Sequence, residues 1–323
     1  MNNSSSNKEK AKQVSSQTSN EYDPVLIIAV SSRTLFDLSQ EHALFLDKGI
    51  DDYRAYQLAH EDEVLKPGIA FELVKKLLAI KHPETQVPLV EVVLVSRNNG
   101  DTGLRIFNSI QHYQLNIQRA AFSNGKAPYA YLKAFGAQLF LSAHNKDVEL
   151  ALQAGYASAH LLTTNIENTT AQSSSKQVRI AFDGDAVLFS DDSERIYKQD
   201  GLAAFKANEQ EKAEVPLNGG PFKPFLMALH QLQSFFKVDT TPIRTALVTA
   251  RSAPSHKRVI LTLRQWGIRL DEALFLGGLD KAEFLKAFKA DIFFDDQLIY
   301  IKSASKNKLT SGHVPHGVAN ENK

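Results

Sequence analysis

Short, β-branched apolar runs alternate with amphipathic stretches along this chain, and they do so twice. In the first half, runs at 25–30 (VLIIAV), 90–96 (VEVVLVS), 121–123 and 138–142 read as strands, with helical periodicity at 71–80, 103–113 and 129–135. In the second half, strands are expected at 178–182, 245–249, 273–276 and 291–294, with helices at 222–235, 257–266 and 281–288. Apolar runs without polar alternation belong to strands buried on both faces, and strands joined through helices pair in parallel. The expected fold class is α/β, built as two related Rossmann-like parallel-sheet lobes.

The halves also match at a fixed offset of 153 residues. Leu35-Phe36 falls on Leu188-Phe189, Leu94-Val95 on Leu247-Val248, and Arg105 on Arg258. The tetrapeptide LKAF occurs at 132–135 and again at 285–288. Three polar stretches punctuate the chain. Residues 1–22 and 303–323 are expected to be disordered tails, and 163–177, rich in Ser, Thr and Asn, reads as a linker. The domains expected are therefore 23–162 and 178–302.

Composition removes several functions. The chain has 37 Lys+Arg against 36 Asp+Glu, which argues against a dedicated nucleic-acid binder. No apolar run approaches the ~18 residues of a membrane helix, and the N-terminus lacks the apolar core of a secretory signal. With no Cys among 323 residues, Cys-ligated zinc, disulfides and a Cys nucleophile are excluded.

The chemistry-bearing residues cluster in the second half. The strand at 178–182 runs into Asp183-Gly184-Asp185. The carboxyl ends of parallel strands are where α/β proteins place functional groups. Two carboxylates there can divide the work of attacking phosphorus and shuttling a proton. The strand at 245–249 ends in Thr249-Ala250-Arg251-Ser252, a hydroxyl and backbone N–H groups suited to phosphate oxygens. Lys281 opens a helix, where a cation opposes the macrodipole. The run at 292–294 ends in Asp295-Asp296, a pair that is costly to bury without a cation.

In this order, Asp-x-Asp, Thr, Lys and Asp-Asp resemble the haloacid dehalogenase (HAD) superfamily of phosphohydrolases. Longer segments are similar to the cytosolic 5′-nucleotidase type I family: AVSSRTLFD (29–37), NSIQHYQL (108–115), FDGDAVLFSD (182–191), LVTARSA (247–253), RQWGIRLDEALFLGG (264–278) and IFFDD (292–296). The resemblance covers most of 25–302. It implies HAD-like lobes and a cytoplasmic, Mg²⁺-dependent phosphatase acting on nucleoside 5′-monophosphates, with AMP a common substrate. Carried over, Asp183 is the nucleophile and Asp185 the general acid and base. Thr249, Ala250 and Lys281 hold the phosphoryl group. Asp183, the Asp185 backbone carbonyl and Asp296 hold the metal, with Asp295 as a further candidate.

At the same offset Asp183, Asp185, Asp295 and Asp296 become Val30, Ser32, Ser142 and Ala143, whereas Thr249 becomes Ser96. The first lobe is expected to be catalytically dead. It is left to serve as a lid over the active site, an oligomer interface or a nucleotide-effector pocket. Ser96, Asn98, Asn99 and Lys126 are its candidates for touching a nucleotide. Arg251, Ser252, Tyr197 and Phe205 are candidates in the second lobe, where 191–221 reads as a short cap. His313 and His316 are expected to be inert. A homo-oligomer is expected, with no nucleic-acid or membrane partner. Two other functions stay open: hydrolysis of a sugar phosphate or other small phosphomonoester, and nucleotide binding without turnover.

Overall fold

A computed structural model describes residues 24–163 and 175–321. The expected tail at 1–22 and all but the ends of the expected linker lie outside the described residues. Among the described residues ten strands are formed: β1 (Leu26–Val30), β2 (Val90–Ser96), β3 (Ala120–Phe122), β4 (Leu139–Ser142), β5 (Ser158–Leu161), β6 (Val178–Phe182), β7 (Ile243–Thr249), β8 (Glu272–Phe275), β9 (Ile292–Asp295) and β10 (Ser311–His313). They make one sheet in the order β3-β2-β1-β4-β5-β10-β9-β6-β7-β8. Every neighbouring pair is parallel except β5 with β10. Read outward from that antiparallel junction, the halves have the same order, β5-β4-β1-β2-β3 and β10-β9-β6-β7-β8.

The eight strands expected from sequence form within two residues of the expected bounds. Six of them are buried on both faces along most of their length, while the outermost strands β3 and β8 are only half-buried. Leu26, Ile28 and Val30 point into one core and Ala29 into another. The larger core runs from Leu26 in the first half to Val314 in the second. The helix Phe71–Leu78 touches β6, and the helix Lys223–Gln233 touches β1. Each half thus covers part of the other. The two separate lobes expected from sequence are instead joined by a continuous sheet and a shared core.

That join corrects a second expectation. Residues 303–321 are not a disordered tail. The helix Leu298–Lys306 continues into them, and β10 fills the space between β5 and β9. Gly312 makes the fit possible: a Cβ there would lie 2.8 Å from Ala159 Cβ and 2.9 Å from the Phe294 ring. The segment is polar, but its backbone groups are spent on two neighbours, which closes two sheet edges.

Both halves also carry a bent helical excursion after their first strand. In the first half, helices Ser39–Lys48 and Ile50–Ala59 meet at Gly49, with φ 85°. In the second, the 20-residue helix Asp192–Glu211 bends at Gly201, with φ 80°. Phe45 and Tyr53 pack edge to face at 6.0 Å, and Tyr197 and Phe205 do so at 6.3 Å. The expected short cap at 191–221 is therefore a long helix with a counterpart at 39–59.

Candidate active site

Four strand ends of the second half converge. Asp183 leaves β6, and its N–H donates to the Phe294 carbonyl at 2.8 Å. The wide turn Gly184–Leu188 follows, with Ala186 at φ 60°. A Cβ on Gly184 would lie 3.2 Å from Thr249 Oγ1, so the close approach of this turn to β7 favours glycine. Thr249 is buried at the end of β7, where its Oγ1 accepts the N–H of Arg251 at 3.2 Å.

Lys281 caps the helix Ala282–Phe288 and is only 2% exposed. Its Nζ lies 2.6 Å from Asp183 Oδ1 and 2.6 Å from Asp295 Oδ2. These carboxylates account for a cation at a helix N-terminus. Burial alone would depress the Lys281 pKa, but Asp183 and Asp295 outweigh it and hold the ammonium above its ordinary value. Asp295 Oδ1 also accepts the Gln297 N–H at 2.8 Å.

Asp296 is different. Both of its carboxylate oxygens are buried and without a hydrogen-bond partner among the described residues. Burial first, then the charges of Asp295 and Asp183, push its pKa well above the ordinary value. Asp183 is raised to about 7, chiefly by burial, with Lys281 opposing and Asp295 adding. One carboxylate oxygen from each of Asp183, Asp295 and Asp296 can be chosen so that all lie within 4.8 Å of one another. Three buried carboxylates facing one ammonium, with one of them unpartnered, fit a divalent cation that takes oxygen ligands.

Asp185 lies to one side of this cluster. Arg251 grips it with two bonds, Nη2 to Oδ1 at 2.6 Å and Nε to Oδ2 at 2.8 Å. Arg251 pairs also with Glu209 of the bent helix, which accepts from Arg258 Nη1 at 2.8 Å and from Ser193 Oγ at 2.8 Å. The Phe205 ring sits 5.4 Å from the Arg251 guanidinium. The bent helix thus reaches the site, and among the described residues no hydrogen bond or ion pair joins the Asp183–Lys281–Asp296 cluster to residues 24–163.

Of the sequence candidates, Asp183, Asp185, Thr249, Lys281, Asp295, Asp296 and Arg251 come together here. Ala250 is exposed beside Thr249, and Ser252 is half-buried with its Oγ directed at the Ala253 carbonyl. Tyr197 is half exposed and meets Phe205 rather than the carboxylates. Ser96, Asn98 and Asn99 line a separate cavity, and Lys126 is exposed outside it. Four residues of the site carried no local signal: Glu209, Gln297, His313 and Asn320. The last two fix the Asp296 backbone, its carbonyl accepting from His313 Nε2 at 3.0 Å and Asn320 Nδ2 at 3.0 Å. His313 is thus part of the site's frame, not inert.

An α/β chain with buried strand-end acids around a lysine has the parts of a phosphohydrolase. A protein-family model described as 5′-nucleotidase matches residues 18–321, and the chain belongs to that family. Human cytosolic 5′-nucleotidase 1B is 40% identical over 292 residues, covering 87% of this chain and 47% of that protein. The chain spans about half the length of this curated relative. No solved structure matches. Among the described residues, no helix is long and apolar enough to cross a membrane.

Proposed function

We propose that this chain hydrolyses nucleoside 5′-monophosphates, AMP among them, to nucleoside and phosphate. The observation that carries the reading is the asymmetry of the acids: Lys281 bridges Asp183 and Asp295, while the Asp296 carboxylate has no partner. Such a site has a place for a phosphate beside the lysine and one for a cation beside Asp296. The family match and the printed name of the human relative support the substrate class.

In this reading Lys281 holds Oδ1 of Asp183 and leaves Oδ2 free to attack phosphorus in line. The P–O5′ bond breaks, and Asp185 gives its proton to the leaving oxygen. Asp185 then takes a proton from water as that water attacks phosphorus, breaking the aspartyl–phosphorus bond and restoring Asp183. Lys281, the Thr249 hydroxyl and the Ala250 N–H bind the phosphoryl oxygens. Arg251 orients Asp185 and must release it for proton transfer. Asp183, Asp296 and the Asp185 carbonyl would hold Mg²⁺, with Asp295 neutralised instead by Lys281. When bound, the ion supplies charge neutralisation to a phosphoryl group whose transfer depends mainly on positioning and electrostatics. The second half is the catalytic HAD-like unit in this reading, and the first is a copy without its acids.

Phosphate release from AMP, other nucleoside monophosphates and sugar phosphates, with and without Mg²⁺, tests the proposal. Mg²⁺-dependent release from nucleotides is expected. Release from sugar phosphates alone would replace nucleotides with another phosphomonoester, and no release from any substrate would leave only a nucleotide-binding module.

A further inference from the structure

Each half braces its bent excursion with a buried arginine from the helix after its second strand. Arg105 does so in the first half and Arg258, at the offset of 153, in the second. The bend glycines Gly49 and Gly201 set the register of the two excursions. Glu41 and Ser193 lie eight residues before them, and Gln57 and Glu209 lie eight residues after. Arg105 Nη1 donates to Glu41 Oε1 at 2.8 Å and to Gln57 Oε1 at 3.1 Å. Arg258 Nη1 donates to Glu209 Oε1 at 2.8 Å, and the Ser193 hydroxyl donates to the same oxygen at 2.8 Å. Both braces use one position on each arm of the bend and a buried carboxylate. The carboxylate has changed arms between them.

The brace does not account for that change, because the first half satisfies its arginine with the acid on the other arm. What the second arm adds is reach toward one further residue. At the offset of 153, Asn98 becomes Arg251. The Asn98 corner is neutral: Tyr53 Oη donates to Asn98 Oδ1 at 2.9 Å and accepts from Gln57 Nε2 at 3.0 Å. The Arg251 corner is charged. Glu209 Oε2 accepts from Arg251 Nη1, while Nε and Nη2 of Arg251 hold both oxygens of Asp185. The acid thus sits on the second arm in the half that has Asp185, and on the first arm in the half that has Ser32 there.

The Arg251 guanidinium is buried, and a buried ion stripped of its counter-charge is costly. While Asp185 carries the proton it is about to give, its neutral carboxyl no longer balances Arg251. Glu209 still does.

We propose that Glu209 is a positioning residue for the proton-transfer step, holding Arg251 in place and charge-balanced while Asp185 is released to protonate O5′. The proton passes from Asp185 to O5′ as the P–O5′ bond breaks, and Arg251 and Glu209 keep their charges throughout. The inference rests on the hydrolytic reading above, which makes Asp185 the proton donor.

The test compares kcat/KM for AMP with that for the analogue whose bridging O5′ is sulfur, because a thiolate leaves without needing a proton. This parameter covers formation of the aspartyl-phosphate and not its hydrolysis. Glu209→Gln keeps the side-chain shape and supplies the amide that Gln57 supplies in the first half. It should lower kcat/KM for AMP about tenfold or more, a part of the roughly 10²–10⁴ that a positioned proton donor contributes. For the sulfur analogue the loss should stay below about threefold. Both substrates are read on one preparation, so unfolded protein cancels from their ratio. Ser193→Glu combined with Glu209→Gln rebuilds the brace of the first half and keeps the test usable if Glu209→Gln alone is unstable. The combination should regain melting temperature but not the ratio. In Arg251→Gln protein, adding Glu209→Gln should move the ratio less than about twofold, because the effect runs through Arg251. Four results would each overturn the proposal: equal losses on both substrates, AMP turnover within about threefold of the original, a ratio restored by Ser193→Glu, or an undiminished effect without Arg251. Failure of the hydrolytic reading would appear separately, as absent phosphate release from AMP by the unsubstituted protein.

Discussion

The two halves of this molecule share strand order, a bent helical excursion with an aromatic pair, and polar side chains gathered at the same strand ends, yet their polar interiors differ in sign. In the second half, Asp183, Asp295 and Asp296 crowd around one lysine. In the first, serines take over and Arg33 has no counter-ion among the described residues. The architecture is thus indifferent to which charge stands at these strand ends. A few side chains at strand ends decide whether a cation must be recruited before an anion can enter, while the strands behind them answer only to packing.

Substitutions can separate what the halves share from what divides them. The largest effect is expected from Asp183→Asn, which removes the proposed nucleophile and has no counterpart in the first half. Phosphate release from AMP should fall about 10⁴-fold or more, with circular dichroism and melting temperature showing a folded protein. Activity within tenfold of the original would defeat the covalent mechanism and the claim that the acids distinguish the halves.

A smaller effect concerns the cation. Mg²⁺ at a hundredfold excess over its dissociation constant should stabilise the protein by about 2.7 kcal/mol, read as a rise in melting temperature. Asp296→Asn should melt higher than the original in EDTA, because it removes an uncompensated buried carboxylate, and should not respond to Mg²⁺. An undiminished response would place the cation elsewhere.

The smallest effects test likeness instead of difference. A Cβ on Gly68 would meet the Thr34 carbonyl at 2.7 Å, and one on Gly220 would meet the Val187 carbonyl at 2.4 Å. Both glycines return the excursion to the sheet by donating to the residue before a phenylalanine, Gly68 to Leu35 and Gly220 to Leu188, each at 2.8 Å. Gly68→Ala and Gly220→Ala should each cost about 1–3 kcal/mol in urea unfolding, as overpacking does. A neutral result at either one would show that the excursions are anchored differently.

What could be read from sequence follows the same division. β1, β2, β6 and β7 announced themselves because doubly buried strands must be apolar throughout. The catalytic candidates were legible because the chemistry restricts residue type at strand ends. β5 and β10 were not, being four and three residues long with His, Ser and Gly among them. Their pairing depends on backbone placement that composition does not encode. Glu209 was illegible for a related reason. It is one of many polar residues on the helix Asp192–Glu211, and only the fold sets it between Arg251 and Arg258. Asp295 and Asp296 could not be ranked from sequence, because the choice turns on where Lys281 and the Gln297 N–H point.

The antiparallel junction has a consequence in time. β5 ends at Leu161 and its partner β10 begins at Ser311, about 150 residues later. At roughly 5–20 residues per second of synthesis, the growing chain waits about 8–30 s before that partner leaves the ribosome. Throughout that interval β5 has one open edge, and once β9 is made so does it. Exposed edges template pairing between chains. The three residues of β10, centred on Gly312, therefore end the interval in which the nascent protein is most open to aggregation.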